Sequence, residues 1–90
     1  MRFAGDPDDG LVRHCQAGDK RAFEELVEKY KEKVFNQCFF LLKQKRLDAE
    51  DAAQEIFTSV YRNLKSFDGR AKFSTWLHTV TRNHCLNMLK

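Results

Sequence analysis

Three groups of side chains in this sequence have the types and spacing that chemistry requires. The first is acidic and amide-bearing. Asp51, Gln54, Glu55 and Thr58 recur at steps of three and four, which on a helix makes one polar ridge. Carboxylates this close can share general acid–base work, but only where burial or a neighbour drives their acidities apart. On the exposed side of an amphipathic helix, opposite Ala53, Ile56 and Val60, they lack the burial that such work needs and make poor general acids. Asp51 and Glu55 are like charges at i, i+4, mildly unfavourable in an isolated helix. With no cation expected on the same helix, the ridge suits a basic partner.

The second group is the stretch from Leu64 to Trp76, where Lys65, Arg70 and Lys72 interleave with Phe67, Phe73 and Trp76 around Asp68-Gly69. Single-stranded nucleic acid is held by this mixture: cations for phosphate, flat rings and a turning backbone for an unstacked base. Beyond it, Thr75, Thr79, Arg82, Asn83, Asn87 and Lys90 fall on one side of a helix, and Asn and Arg can contact base edges. The competing reading of the rings is a packed core, which is the expectation for Trp76. The third group is His14-Cys15 and His84-Cys85, with Cys38 elsewhere. No CxxC or second close ligand pair completes a zinc pattern, so the cysteines read as buried free thiols. No metal and no cofactor is expected. The sequence has no Gly-rich phosphate loop, no HExxH and no nucleophile motif. It reads as a binding protein, not an enzyme.

Charge is distributed in blocks. Residues 1–28 carry seven acidic and four basic side chains, and residues 29–46 carry six basic and one acidic. Residues 47–60 carry Asp48, Glu50, Asp51 and Glu55 with no basic side chain, and residues 61–90 again carry six basic and one acidic. Such blocks point to two partners of opposite character, one basic and one polyanionic. No apolar run reaches the roughly 20 residues that span a bilayer, and Met1–Gly10 has no apolar signal region. No membrane partner and a cytoplasmic location are expected.

Helices must position these groups. The apolar series Phe23, Leu26, Val27, Tyr30, Val34, Cys38, Leu41, Leu42 follows a 3.6-residue period. So do Ala52, Ala53, Ile56, Phe57, Val60, Tyr61, Leu64 and Phe73, Trp76, Leu77, Val80, His84, Met88. One proline and four glycines interrupt the chain little. The predicted fold is all-α, a compact bundle of four helices in a single domain over 1–90. The first helix spans about 8–17 and closes at Gly18. The second opens at Asp19 and runs to about Lys45, with Lys43, Lys45 and Arg46 at its negative end. Asp48 caps the third, which ends near Ser66. The fourth starts around Ala71–Phe73 and reaches the chain end without a stop signal, as expected of a piece of a longer protein.

The string Asp48-Ala49-Glu50-Asp51-Ala52-Ala53-Gln54-Glu55-Ile56-Phe57 resembles the DAEDxxQExF signature of extracytoplasmic-function (group 4) sigma factors. Ala22-Phe23-Glu24-Glu25-Leu26-Val27-Glu28-Lys29-Tyr30 is similar to their AFxxLxxxY, and Phe73-Ser74-Thr75-Trp76-Leu77 with Arg82-Asn83 to their FxTWLxxIxxN. The blocks stand in the family's order and spacing, across about residues 9–90. The resemblance implies region 2 of a sigma factor. Asp51, Gln54, Glu55 and Thr58 would dock on the β′ clamp helices of core RNA polymerase. The loop Lys65, Ser66, Phe67, Asp68, Gly69, Arg70, Ala71, Lys72 would capture a base flipped from the −10 non-template strand. Asn83, with Thr79, Arg82, Asn87 and Lys90, would contact neighbouring nucleotides. An anti-sigma factor is an implied further partner, and the −35-reading domain would lie outside these residues. The sequence departs from the family at Thr79, often basic there, and at His84. Two alternatives stay open: a sigma-like decoy or adaptor that binds an anti-sigma partner without reading a promoter, and a small helical enzyme or metal protein.

Overall fold

The computed structural model describes residues 3–90. Its first boundary follows from glycine chemistry. Helix α1 (Asp9–Gln16) ends where Gly18 takes φ +99°, and the amides of Gly18 and Asp19 return to the carbonyls of Cys15 and His14. That two-bond closure needs a left-handed residue, which glycine supplies without a Cβ clash. Asp19 then opens α2 (Lys20–Leu41), its carboxylate accepting from the amides of Arg21 and Ala22. A cap of this kind contributes about 1 kcal/mol.

The next boundary departs from expectation. The second helix stops at Leu41, not near Lys45, because Lys43 and Gln44 both turn left-handed, at φ 61° and 62°. The Gln44 amide bonds back to the Phe39 carbonyl at 2.8 Å, closing the helix in the same manner as Gly18 does α1. Non-glycine residues in this conformation cost about 1–2 kcal/mol each, and lysine and glutamine are good helix formers, so composition gave no stop signal. Helix α3 (Arg46–Asn63) consequently starts earlier than expected. Lys45 is its cap residue, without a side-chain bond, and Asp48 lies in its first turn instead of capping it. Arg46 opens α3 rather than closing α2, and pairs with Glu50 at 3.3 Å. A 3₁₀ turn, Leu64–Ser66, extends α3, and α4 spans Phe73–Met88. The four helices carry no strand between them among the described residues, so the fold is all-α.

The buried residues make one cluster. α2 contributes Leu26, Tyr30, Val34 and Cys38; α3 contributes Ala49, Ala52, Ile56 and Val60; α1 adds Val12. On α4 the buried stripe is Phe73, Leu77, Thr81 and Cys85, a step of four. That displaces the expected stripe: Trp76, Val80 and His84 are only partly buried, and Met88 is exposed. A threonine fits at the centre of this face because its hydroxyl donates to the Leu77 carbonyl at 2.8 Å. Cys38 and Cys85 face one another across α2 and α4 with fully buried thiols, and burial pushes Cys38 up to about 12. The carboxylate of Asp8, 2% exposed, accepts from the Lys29 ammonium and the Tyr30 hydroxyl, tying the N-terminal segment to α2. No helix among the described residues is long and apolar enough to cross a membrane.

Candidate nucleic-acid and partner interfaces

The link from α3 to α4 is built around aromatic packing. Phe67 is buried and meets Phe73 edge-on at 6.0 Å and Trp76 at 5.2 Å, while Phe73 and Trp76 lie 5.9 Å apart. With its ring turned inward, Phe67 supports the loop from below and offers no face to a ligand. Gly69 is also buried, at φ +76°, a conformation that L side chains rarely adopt. Around these two, Lys65, Ser66, Asp68, Arg70, Ala71 and Lys72 are exposed. Asp68 shapes the turn: it accepts from the Arg70 amide at 3.0 Å and pairs with the Arg70 guanidinium at 3.2 Å. The Ser66 hydroxyl donates to the Asn63 carbonyl at 2.7 Å.

The loop backbone is suspended from the N-terminal part of the chain. The Gln16 amide donates to the carbonyls of Leu64 at 2.9 Å and Phe67 at 2.8 Å. The Phe3 amide donates to the Gly69 carbonyl, and the Lys72 ammonium sits 5.6 Å from the centre of the Phe3 ring. The cap residue of α4, Lys72, offers no side-chain bond, and the carboxylate of Asp6 takes that role, accepting from the Phe73 amide at 2.9 Å. Sequence reasoning missed Asp6 and Gln16. Their bonds span 67 and 48–51 residues of chain, and no periodicity or local capping pattern reports such a contact.

From the loop, α4 presents Thr79, Arg82, Asn83 and Asn87, with Lys90 just past its end, all exposed. The Thr79 hydroxyl is turned back onto the Thr75 carbonyl at 3.2 Å. Asp51, Gln54, Glu55 and Thr58 are exposed on α3, with the Thr58 hydroxyl bonded to the Gln54 carbonyl at 3.0 Å. The expectation of no cation beside this ridge needs correcting. Arg46 and Arg62 belong to α3, and Arg62 and His84 line an open groove with Gln54, Glu55 and Thr58. His84 Nε2 stands 3.3 Å from Glu55. The groove thus joins the acidic ridge to α4 through His84, one of the two positions at which the sequence departs from the pattern it resembles. Among the described residues no group of three or more His, Cys, Asp or Glu is placed to hold a metal. His14-Cys15 and His84-Cys85 are therefore not drawn into one site.

Comparison with known proteins extends this picture. The family model for sigma-70 region 2 matches residues 26–90. An extracytoplasmic-function RNA polymerase sigma factor of Bacillus subtilis, SigW, is 37% identical over 79 residues, covering 88% of this chain and 42% of that protein. The RNA polymerase sigma-H factor of Pseudomonas aeruginosa is 40% identical over 82 residues, covering 91% of this chain and 42% of that protein. The chain therefore spans about two fifths of the relatives it matches. Among solved structures, an engineered region 2 of sigmaE in complex with GTAAAA superposes with a TM-score of 0.84 at 38% identity, over 97% of this chain and 90% of that one.

Proposed function

The chain belongs to the sigma-70 region 2 family, whose members are non-enzymatic transcription initiation factors, and on that premise we propose how its two surfaces divide the work. The α3 ridge of Asp51, Gln54, Glu55 and Thr58 docks on the β′ clamp helices of core RNA polymerase. The loop 65–72 captures a base flipped from the −10 non-template strand, and Asn83 reads beside it while Arg70, Lys72, Arg82 and Lys90 hold phosphate. Flipping costs a few kcal/mol of stacking and pairing. A pocket and phosphate contacts that exist only for the opened strand offset that cost, so melting and sequence reading become one event. An anti-sigma partner would act by covering either surface.

The observation that carries this reading is the loop: exposed cations around a backbone turn at Gly69, fixed from beneath by Phe67 and continuing into a polar face of α4. The GTAAAA complex of the similar engineered domain supports a single strand as the ligand. The test measures affinity of the chain for core polymerase and for −10 non-template single strands of varied sequence. The reading requires both, with strand affinity dependent on sequence. Polymerase binding with no discrimination among strands would leave a decoy or adaptor and overturn it.

A further inference from the structure

Four hydrogen bonds hang the capture loop and the two residues that flank it on residues 3–16, ahead of the family match that begins at residue 26. They are spread along its length: Gln16 to the carbonyls of Leu64 and Phe67, the Phe3 amide to the carbonyl of Gly69, and the Phe73 amide to Asp6. Carbonyls and amides in a short connection have no ladder to join, and each must find a partner or remain in water. A loop bonded only to water would sample many backbone shapes, and a base pocket needs one. Ordering it on binding would reduce affinity, whereas a loop already fixed avoids that loss.

We propose that Asp6 is a positioning residue for strand capture, with Gln16 as its counterpart at the far end of the loop. The inference rests on the reading of loop 65–72 as the strand-binding surface. Asp6 uses both carboxylate oxygens: Oδ2 accepts from Phe73 and fixes the first turn of α4, and Oδ1 accepts from the Asp8 amide at 3.0 Å. Asp8 is in turn buried and bonded to Lys29 and Tyr30 on α2. The start of α4 is thereby braced against the longest helix of the bundle through the N-terminal segment.

The position makes the sign of the effect diagnostic. Asp6 is an anion at the N-terminus of α4, close to Lys72. Coulomb's law alone says that removing its charge brings phosphate closer and tightens binding. Positioning says the reverse. The variants Asp6→Ala, Asp6→Asn and Gln16→Ala in the full chain are compared with wild type for binding of a fluorescein-labelled GTAAAA strand and a mixed-sequence hexamer. Core polymerase affinity, strand affinity against salt, and exchange of the Phe73 amide are read alongside. Asp6→Ala and Gln16→Ala should each weaken the preferred strand by roughly three- to tenfold, the scale of one capping interaction. The salt slope and polymerase affinity should stay unchanged, and only the Asp6 variants should speed Phe73 exchange. Asp6→Asn, which keeps one acceptor oxygen, should fall between Asp6→Ala and wild type. Unchanged or tighter strand binding by Asp6→Ala and Gln16→Ala, with wild type discriminating normally, overturns the positioning role alone. A wild-type chain that discriminates between no strands overturns the loop reading and this inference with it.

Discussion

Replacing Phe73 by alanine should destabilise the domain more than replacing Trp76, although tryptophan is the larger side chain. Phe73 is 1% exposed and its ring meets Tyr30 at 5.6 Å, Phe67 at 6.0 Å and Trp76 at 5.9 Å. Truncating a fully buried phenylalanine costs about 3–5 kcal/mol, from lost transfer energy and an unfilled cavity. Trp76 is only partly buried, so its truncation opens a recess to water rather than an enclosed hole. About 2 kcal/mol is the corresponding expectation, in the ordinary range for a single substitution. At about 0.05–0.15 kcal/mol per residue, total stability for a chain of this size is roughly 4–13 kcal/mol. Phe73→Ala therefore removes a large part of it. With about 4–8 °C of Tm per kcal/mol in domains this small, the melt should fall by about 12–40 °C, against about 8–16 °C for Trp76→Ala. Circular dichroism melts with urea titrations measure both, and equal m-values establish that the same transition is being compared. The two rings touch, so the double variant should be non-additive by about 0.5–1.5 kcal/mol. A Trp76→Ala loss larger than that of Phe73→Ala would place the aromatic hub elsewhere and refute the packing argument.

Other consequences can be checked with simpler experiments. Replacing both Gln54 and Glu55 by alanine should leave helix content intact and abolish association with core polymerase in pull-down or titration; unchanged affinity removes this ridge from the interface. In the assembled complex, Asn83→Ala should relax discrimination at one −10 position by roughly 1–3 kcal/mol. Arg82→Ala should weaken all strands alike and flatten the salt slope by roughly 0.7 for each phosphate it no longer neutralises; equal losses across sequences from both substitutions would make Asn83 another phosphate-positioning residue. Burial raises Cys15 from 9.0 to about 11 and Cys38 from 9.0 to about 12. The folded state thus favours the neutral thiols: their contribution is complete below pH 9 and declines as pH rises towards 11–12. At pH 8 iodoacetamide should modify Cys15 slowly and Cys38 and Cys85 only through unfolding, and rapid native-state labelling of Cys38 would contradict their placement.

Much of the architecture was legible because it is written locally. Asp19 and Gly18 have the chemistry of a helix start and stop, and the α2 and α3 stripes follow a single period. The α2–α3 boundary was not legible, since Lys43 and Gln44, both helix formers, adopt left-handed backbone conformations closed by the bond from the Gln44 amide to the Phe39 carbonyl, which residue type does not announce. The α4 stripe was misjudged because Thr81 and Cys85 are buried there while the more apolar Trp76 stays at the margin. For the candidate interface, helical spacing read from the sequence put Asp51, Gln54, Glu55 and Thr58 on an exposed face of α3 and Thr79, Arg82, Asn83 and Asn87 on one of α4, and the structure exposes each of them. Phe67, grouped with them, turns inward instead. The supports of the loop, Asp6 and Gln16, were invisible because their partners are backbone groups far along the chain, which carry no residue-type signature.

The claim that the α3–α4 loop captures a flipped base is tested most directly by a fluorescent base analogue. 2-Aminopurine is placed at each successive position of the −10 non-template strand, in complexes of this chain with core polymerase. Its emission changes sharply when a base leaves its stack. The account predicts one position that changes abruptly on binding, and loss of that signal in a variant in which Gly69 is replaced by valine, which resists the φ of +76° that the turn requires. Uniform small changes along the whole strand, or a single-position signal that survives Gly69→Val in a chain that still binds polymerase, would contradict it.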